Sequence, residues 1–232
     1  MIRKADQIFE KAGLGGKGQS RRRRVSKHLS PAKKAPEKAG HVTGGSEIWI
    51  PFASYCTTGQ FMKLEDGFTR HCSPTAMVNI VRSMQSRAAN GRKLKTKSED
   101  MFLQFAKIGR RMHAYWNKDL LGRFGGTSNF MTAFYLRRCL RAVGMEKDVS
   151  VHFHPWITES GVERALEQGA IVLLEVYLHP RYKNHHMLYY VCRDGEDGQR
   201  EYLLADGWTP GPLWVDRKGL GVGHFLAVLP RR

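Results

Sequence analysis

One of the four cysteines stands where a thiol can become a nucleophile. Cys72 lies in the run Arg70-His71-Cys72-Ser73-Pro74-Thr75-Ala76, directly before a segment with helical periodicity. A helix N-terminus carries unpaired N–H groups and about half a positive charge, and both favour thiolate over thiol. The backbone N–H of Cys72 can also stabilise an oxyanion. Cys56, Cys139 and Cys192 read as small buried hydrophobes. No pair of cysteines has C-x-x-C spacing, and four in 232 residues are too few for a disulfide scaffold.

Two further residues complete a nucleophilic set. His186 opens the apolar run His186-Met187-Leu188-Tyr189-Tyr190, where an imidazole can take the thiol proton and return it to a leaving group. Asp206 ends the next apolar run, Leu203-Leu204-Ala205-Asp206. Adjacent antiparallel strands would set Asp206 beside His186 and fix its tautomer. His224, at the start of the last strand, is a rival base. His152 and His154 alternate on a strand-like segment and can share one face as metal ligands, with no third ligand apparent; the simpler reading is structural. Trp208, Trp214 and Tyr182 sit near the expected cleft, as subsite walls or as core.

The elements that must position these residues are legible as patterns. Glu47–Ala53 reads as a strand stopped near Pro51. Ser73 to Ala88 reads as a helix, with Ala76, Met77, Ile80, Val81 and Met84 at spacings of three and four. Ser98 to Trp116 predicts a second helix capped by Ser98, with Met101, Phe105, Ile108 and Met112 on one stripe. A third helix starts at Thr127 or Ser128 and stops at Gly144. Ser160 and Glu163 have capping-box spacing for a short helix to Gln168. Ala170–Leu178, His186–Cys192, Glu201–Ala205 and His224–Leu229 read as strands. Helices first and strands second, without βαβ alternation, predict an α+β fold with an antiparallel sheet.

These residues bring the chain to a family. Cys72-Ser73-Pro74-Thr75-Ala76-Met77-Val78-Asn79, then His185-His186-Met187-Leu188-Tyr189-Tyr190, then Leu204-Ala205-Asp206-Gly207 resemble papain-like cysteine peptidases. The nearest likeness is to the bacterial peptidases that process double-glycine leaders of bacteriocins. Glu47–Ala53 resembles that family's usual first strand, and Gly126-Thr127 its G-T segment. The likeness spans residues 46–210. It implies a papain-like fold with helices packed on a C-terminal antiparallel sheet. It also implies Cys72 as nucleophile, His186 as general base and Asp206 as orienting acid. The family's oxyanion glutamine has no counterpart at its usual place, which is Asp66 here; Gln60, twelve residues before the cysteine, is the candidate donor. Ser73 stands where the family has glycine, and Gly207 where it has proline.

Composition sets the remaining bounds. Lys plus Arg is 38 and Asp plus Glu is 21, a net charge of +17, and apolar residues make up 41%. That apolar fraction is too high for a wholly disordered chain, and no stretch approaches the ~20 apolar residues of a membrane helix. Residues 1–45 hold twelve Lys/Arg and three Asp/Glu, so +9 of the charge sits in a basic, flexible N-terminal segment before a domain at 46–232. Such a segment reads as a solubilising tail, a contact for nucleic acid or another anionic surface, or a removable pro-segment. Gly44-Gly45 is a diglycine at its end, a site for self-removal or simply linker. No secretory signal is visible, so a reducing cytoplasm is the expected setting. The leading expectation is hydrolysis of a peptide or isopeptide bond through a thioester, with a peptide or protein as substrate and without metal or organic cofactor. The alternatives are an acyltransferase or amidase on the same fold, and a non-catalytic binding module docked by its basic tail.

Overall fold

A computed structural model describes residues 33–34, 55–64, 70–87, 94–116, 126–195, 198–217 and 220–231. The expected strand Glu47–Ala53, the diglycine at 44–45, Asp66 and the 1–45 segment apart from Lys33–Lys34 lie outside these residues.

The fold is α+β, with a seven-stranded antiparallel sheet. Its strands are β1 (Lys33–Lys34), β4 (Val149–His154), β5 (Ile171–His179), β6 (Lys183–Asp194), β7 (Arg200–Ala205), β8 (Leu213–Asp216) and β9 (Val222–Pro230). Their order across the sheet is β1-β8-β7-β6-β5-β9-β4. A separate two-stranded ribbon joins β2 (Tyr115–Trp116) to β3 (Gly126–Thr127). The helices are α1 (Thr58–Phe61), α2 (Cys72–Arg87), α3 (Ser98–Arg111), α4 (Thr132–Ala142) and α5 (Glu159–Glu167).

The sheet is covered on both sides: β5 and β6 carry unbroken apolar runs, Ile171–Leu174 and Met187–Cys192, rather than alternating ones. On one face Ile171, Leu173, Leu188, Tyr190, Leu226 and Val228 pack with α2, α3 and α4. On the other, Val172, Leu174, Met187, Tyr189 and Phe225 pack with Val162, Ala165 and Leu166 of α5. The strands meet a helix layer on one side and a single helix on the other.

Several expected boundaries move for local reasons. The second helix stops at Arg111, and His113 turns the chain with φ 54° into β2. Gly109 allows that return, since a Cβ there would lie 2.6 Å from both Tyr115 Cβ and Tyr135 Cζ. Lys97, not Ser98, is the N-cap of α3; the Ser98 hydroxyl accepts from Arg82 Nε at 3.2 Å instead. The third helix begins later than expected, at Thr132, because Gly126–Thr127 pairs as β3 and Asn129–Met131 forms a 3-10 turn. Thr158, not Ser160, caps α5 by accepting from Gly161 N–H at 3.2 Å. Strand β8 was missed, hidden by its turn-rich approach.

Candidate active site

Cys72 is the first residue of α2, and its side chain is partly exposed. Asn79, two turns along, bonds the Cys56 N–H and C=O at 2.8 and 2.9 Å. The preceding loop is thereby pinned to the helix. His71 lies against α1, with Nε2 2.8 Å from the Thr58 carbonyl and its ring edge-on to Phe102. The N-terminus of α2 is held from both sides.

The sulfur of Cys72 lies 3.6 Å from His186 Nδ1. His186 Nε2 lies 3.2 Å from Glu175 Oε2, at ion-pair distance and without the alignment of a strict hydrogen bond. Both groups are buried. Burial alone would lower the His186 pKa; the Glu175 charge and the Cys72 sulfur outweigh it and push it up to about 10. Burial would raise the Cys72 thiol, but hydrogen bonding to His185 and His186 holds it well below its ordinary value of 9.0. Glu175 resists burial in the same way, held low by His186 and His224. Near neutral pH the arrangement favours thiolate, imidazolium and carboxylate in sequence.

The other three cysteines are free and buried, and burial pushes each thiol up. Only Cys72 combines access with a depressed pKa.

Of the expected trio, Cys72 and His186 come together and Asp206 does not join them. The reason is the two-residue period of a strand. Leu203 and Ala205 of β7 face the α2 side, as do Leu188 and Tyr190 of β6, whereas Leu204 faces α5. Asp206 follows Ala205 and spends its carboxylate on its own turn. Its Oδ1 accepts from Trp208 N–H (2.9 Å) and Thr209 N–H (2.8 Å), and its Oδ2 from the Thr209 hydroxyl (3.0 Å). Its main-chain carbonyl faces His185 Nε2 at 2.7 Å.

Glu175 takes the place beside His186 because the register of β5 and β6 sets the two directly opposite. Sequence reasoning missed it. The available signal was a lone carboxylate in the apolar run Ala170–Leu178, since Glu is rarely fully buried without a partner. Thr132, at the start of α4, donates to the same Glu175 oxygen at 2.8 Å. His224, the rival base, also faces Glu175 Oε2, at 2.8 Å.

Gln60 is exposed, and its amide donates to Glu99 Oε1 at 2.7 Å, so in this structure it is engaged with α3. Among the described residues Ser73 Oγ is buried without a hydrogen-bond partner. Trp214 belongs to the core, under the guanidinium of Arg193 at 3.8 Å. Tyr182 is buried too, whereas Trp208 is half-exposed with its ring 4.4 Å from His185. His152 and His154 line a cavity of about 650 Å³ between β4 and α5, where His154 stacks on Phe225 at 4.2 Å. Among the described residues no group of three or more His, Cys, Asp or Glu is placed to hold a metal ion. Nor is any helix among them long and apolar enough to cross a membrane.

No protein-family model matches the chain, and no curated protein matches its sequence.

Proposed function

We propose that this protein is a papain-like cysteine peptidase, hydrolysing a peptide or isopeptide bond with Cys72, His186 and Glu175. The observation that carries the proposal is the 3.6 Å approach of His186 Nδ1 to a partly exposed cysteine at a helix N-terminus. The resemblance in the Cys72–Asn79 and His185–Tyr190 segments supports the family, and the helix-on-sheet arrangement is of the matching class.

The thiolate of Cys72 attacks the carbonyl carbon, and the oxyanion forms beside the free N–H groups that begin α2. As the tetrahedral adduct collapses, the C–N bond breaks. His186 gives its Nδ1 proton to the departing amine, leaving a thioester. Water then attacks the thioester carbonyl while His186 takes a proton from it, and the thiolate leaves. Glu175 stays ionised throughout and steadies the imidazolium.

The test is site-resolved iodoacetamide labelling of the full chain across pH, read by mass spectrometry. Cys72 is expected to react fast well below pH 9, with the advantage lost in His186→Ala. A wild-type Cys72 that labels like an ordinary thiol would overturn the proposal. Peptide amides then serve as substrates for turnover.

A further inference from the structure

Glu175 is flanked on both sides of its strand. The register sets His186 of β6 and His224 of β9 directly opposite it, so three titratable side chains form one row across the sheet. His224 Nε2 is 2.8 Å from the same oxygen that His186 faces at 3.2 Å, both at ion-pair distance and without the alignment of a strict hydrogen bond. At the other ring nitrogen, His224 Nδ1 lies 2.8 Å from the Tyr177 hydroxyl.

Burial and then the Glu175 charge raise the Tyr177 pKa above its usual value, so the hydroxyl keeps its proton. It can donate its hydrogen to His224 Nδ1, 2.8 Å away, or to the Glu175 carboxylate. With Nδ1 as the acceptor, a neutral His224 carries its own proton on Nε2, facing the carboxylate.

The backbone is built for this approach. A Cβ on Gly223 would lie 1.9 Å from the Glu175 carbonyl oxygen, so only glycine lets β9 sit this close at the residue before His224. The groups facing the row are His186 from β6, Thr132 from α4, Tyr177 from β5 and the Phe153 ring from β4, 5.2 Å from His224. Cys72 and His185 lie beyond His186.

We propose that His224, oriented by Tyr177, is a positioning residue that clamps Glu175 in its ionised form toward His186. The inference rests on the peptidase reading above and adds an outer arm, Tyr177–His224, to the Cys72–His186–Glu175 set. The arm acts through Glu175.

The experiment is the pH profile of Cys72 alkylation on the full chain with iodoacetamide, beside thermal unfolding of each variant. In His224→Leu the carboxylate loses the ring that holds it toward His186, and the imidazolium is less well supported. The acid limb of the profile should then move up by about one pH unit. His224→Gln, whose amide can donate to Glu175, should move the limb back toward wild type. A purely structural role for His224 would lower the melting temperature and leave the limb in place. Should His224→Leu fail to fold, Tyr177→Phe removes only the hydroxyl at the end of the arm, and a smaller shift of the same sign is expected. Superimposable profiles for wild type and the variants, with wild-type Cys72 still fast at low pH, would overturn this inference alone. An ordinary wild-type Cys72 would overturn the peptidase reading and this inference with it.

Discussion

Glu175 and Asp206 are both carboxylates, both nearly fully buried, and both within one strand of the histidine pair. They do different work. Glu175 points to the face covered by α2, α3 and α4, where the imidazoles of His186 and His224 and the Thr132 hydroxyl meet it. Asp206 turns back on its own loop and accepts two backbone N–H groups and a hydroxyl within three residues. The first is tied to side chains on other elements, one of which, His186, approaches Cys72. The second is a local turn device, of the kind Asp makes wherever a chain leaves a strand. Burial and residue type cannot separate such roles; the identity of the hydrogen-bond donors does.

The sharpest way to break this contrast is to neutralise each acid in turn. Glu175→Gln keeps the shape of the site but removes the charge that supports the imidazolium. On the proposed peptidase reading, Cys72-dependent hydrolysis should fall by about 10²–10⁴-fold, with the low-pH labelling advantage lost. Asp206→Asn should leave the labelling profile of Cys72 close to wild type. If the two variants exchanged these behaviours, Asp206 would regain the role expected of it from the sequence.

A second prediction concerns the backbone that brings the row together. Gly223→Ala would force β9 away from the Glu175 carbonyl. A loss of roughly 1–3 kcal/mol of unfolding free energy is expected, together with slower Cys72 labelling, measured by denaturant unfolding and mass spectrometry on the same sample. Unchanged stability would mean that the close approach of β9 to β5 is not required.

Asp206→Ala makes the complementary case. It strands the Trp208 and Thr209 N–H groups, at a cost of about 1–3 kcal/mol. Denaturant unfolding should register that loss while labelling of Cys72 below pH 9 persists. Loss of reactivity at retained stability would assign Asp206 to the site after all.

The smallest effect is a slope. The Glu175 carboxyl is held below its ordinary value of 4.5 in the folded chain. Its contribution to stability is therefore present above about pH 4.5 and is lost as the pH falls through the lower folded value. Wild type should lose stability on acidification below pH 4.5 more steeply than Glu175→Gln, measured by urea unfolding at a series of pH values. Equal slopes would show that Glu175 is not held ionised by its neighbours.

Much of this arrangement was legible before any coordinates. The helical spacing from Ala76 to Met84 marked the element that carries Cys72, and those residues are buried as expected. The apolar runs after Gly169 marked four strands of the sheet, because continuous rather than alternating hydrophobicity belongs to strands covered on both faces. The Cys72–His186 pairing was also readable, since helix start and strand start are local signals. Gln60 was not, because its partner Glu99 is 39 residues away on another helix.

The sequence by itself determined which thiol starts a helix, which imidazole opens a strand, and that the fold is α+β. Which acid completes the set was decided only by the tertiary structure. A strand places alternate residues on opposite faces, so a shift of one position sends a carboxylate to the other side of the sheet. Glu175 and His186 lie on consecutive strands and His224 on a strand much further along the chain, and the three meet because the β6-β5-β9 register aligns them. That register is settled by the burial of two whole apolar faces at once, a property of the assembled sheet and of no single segment.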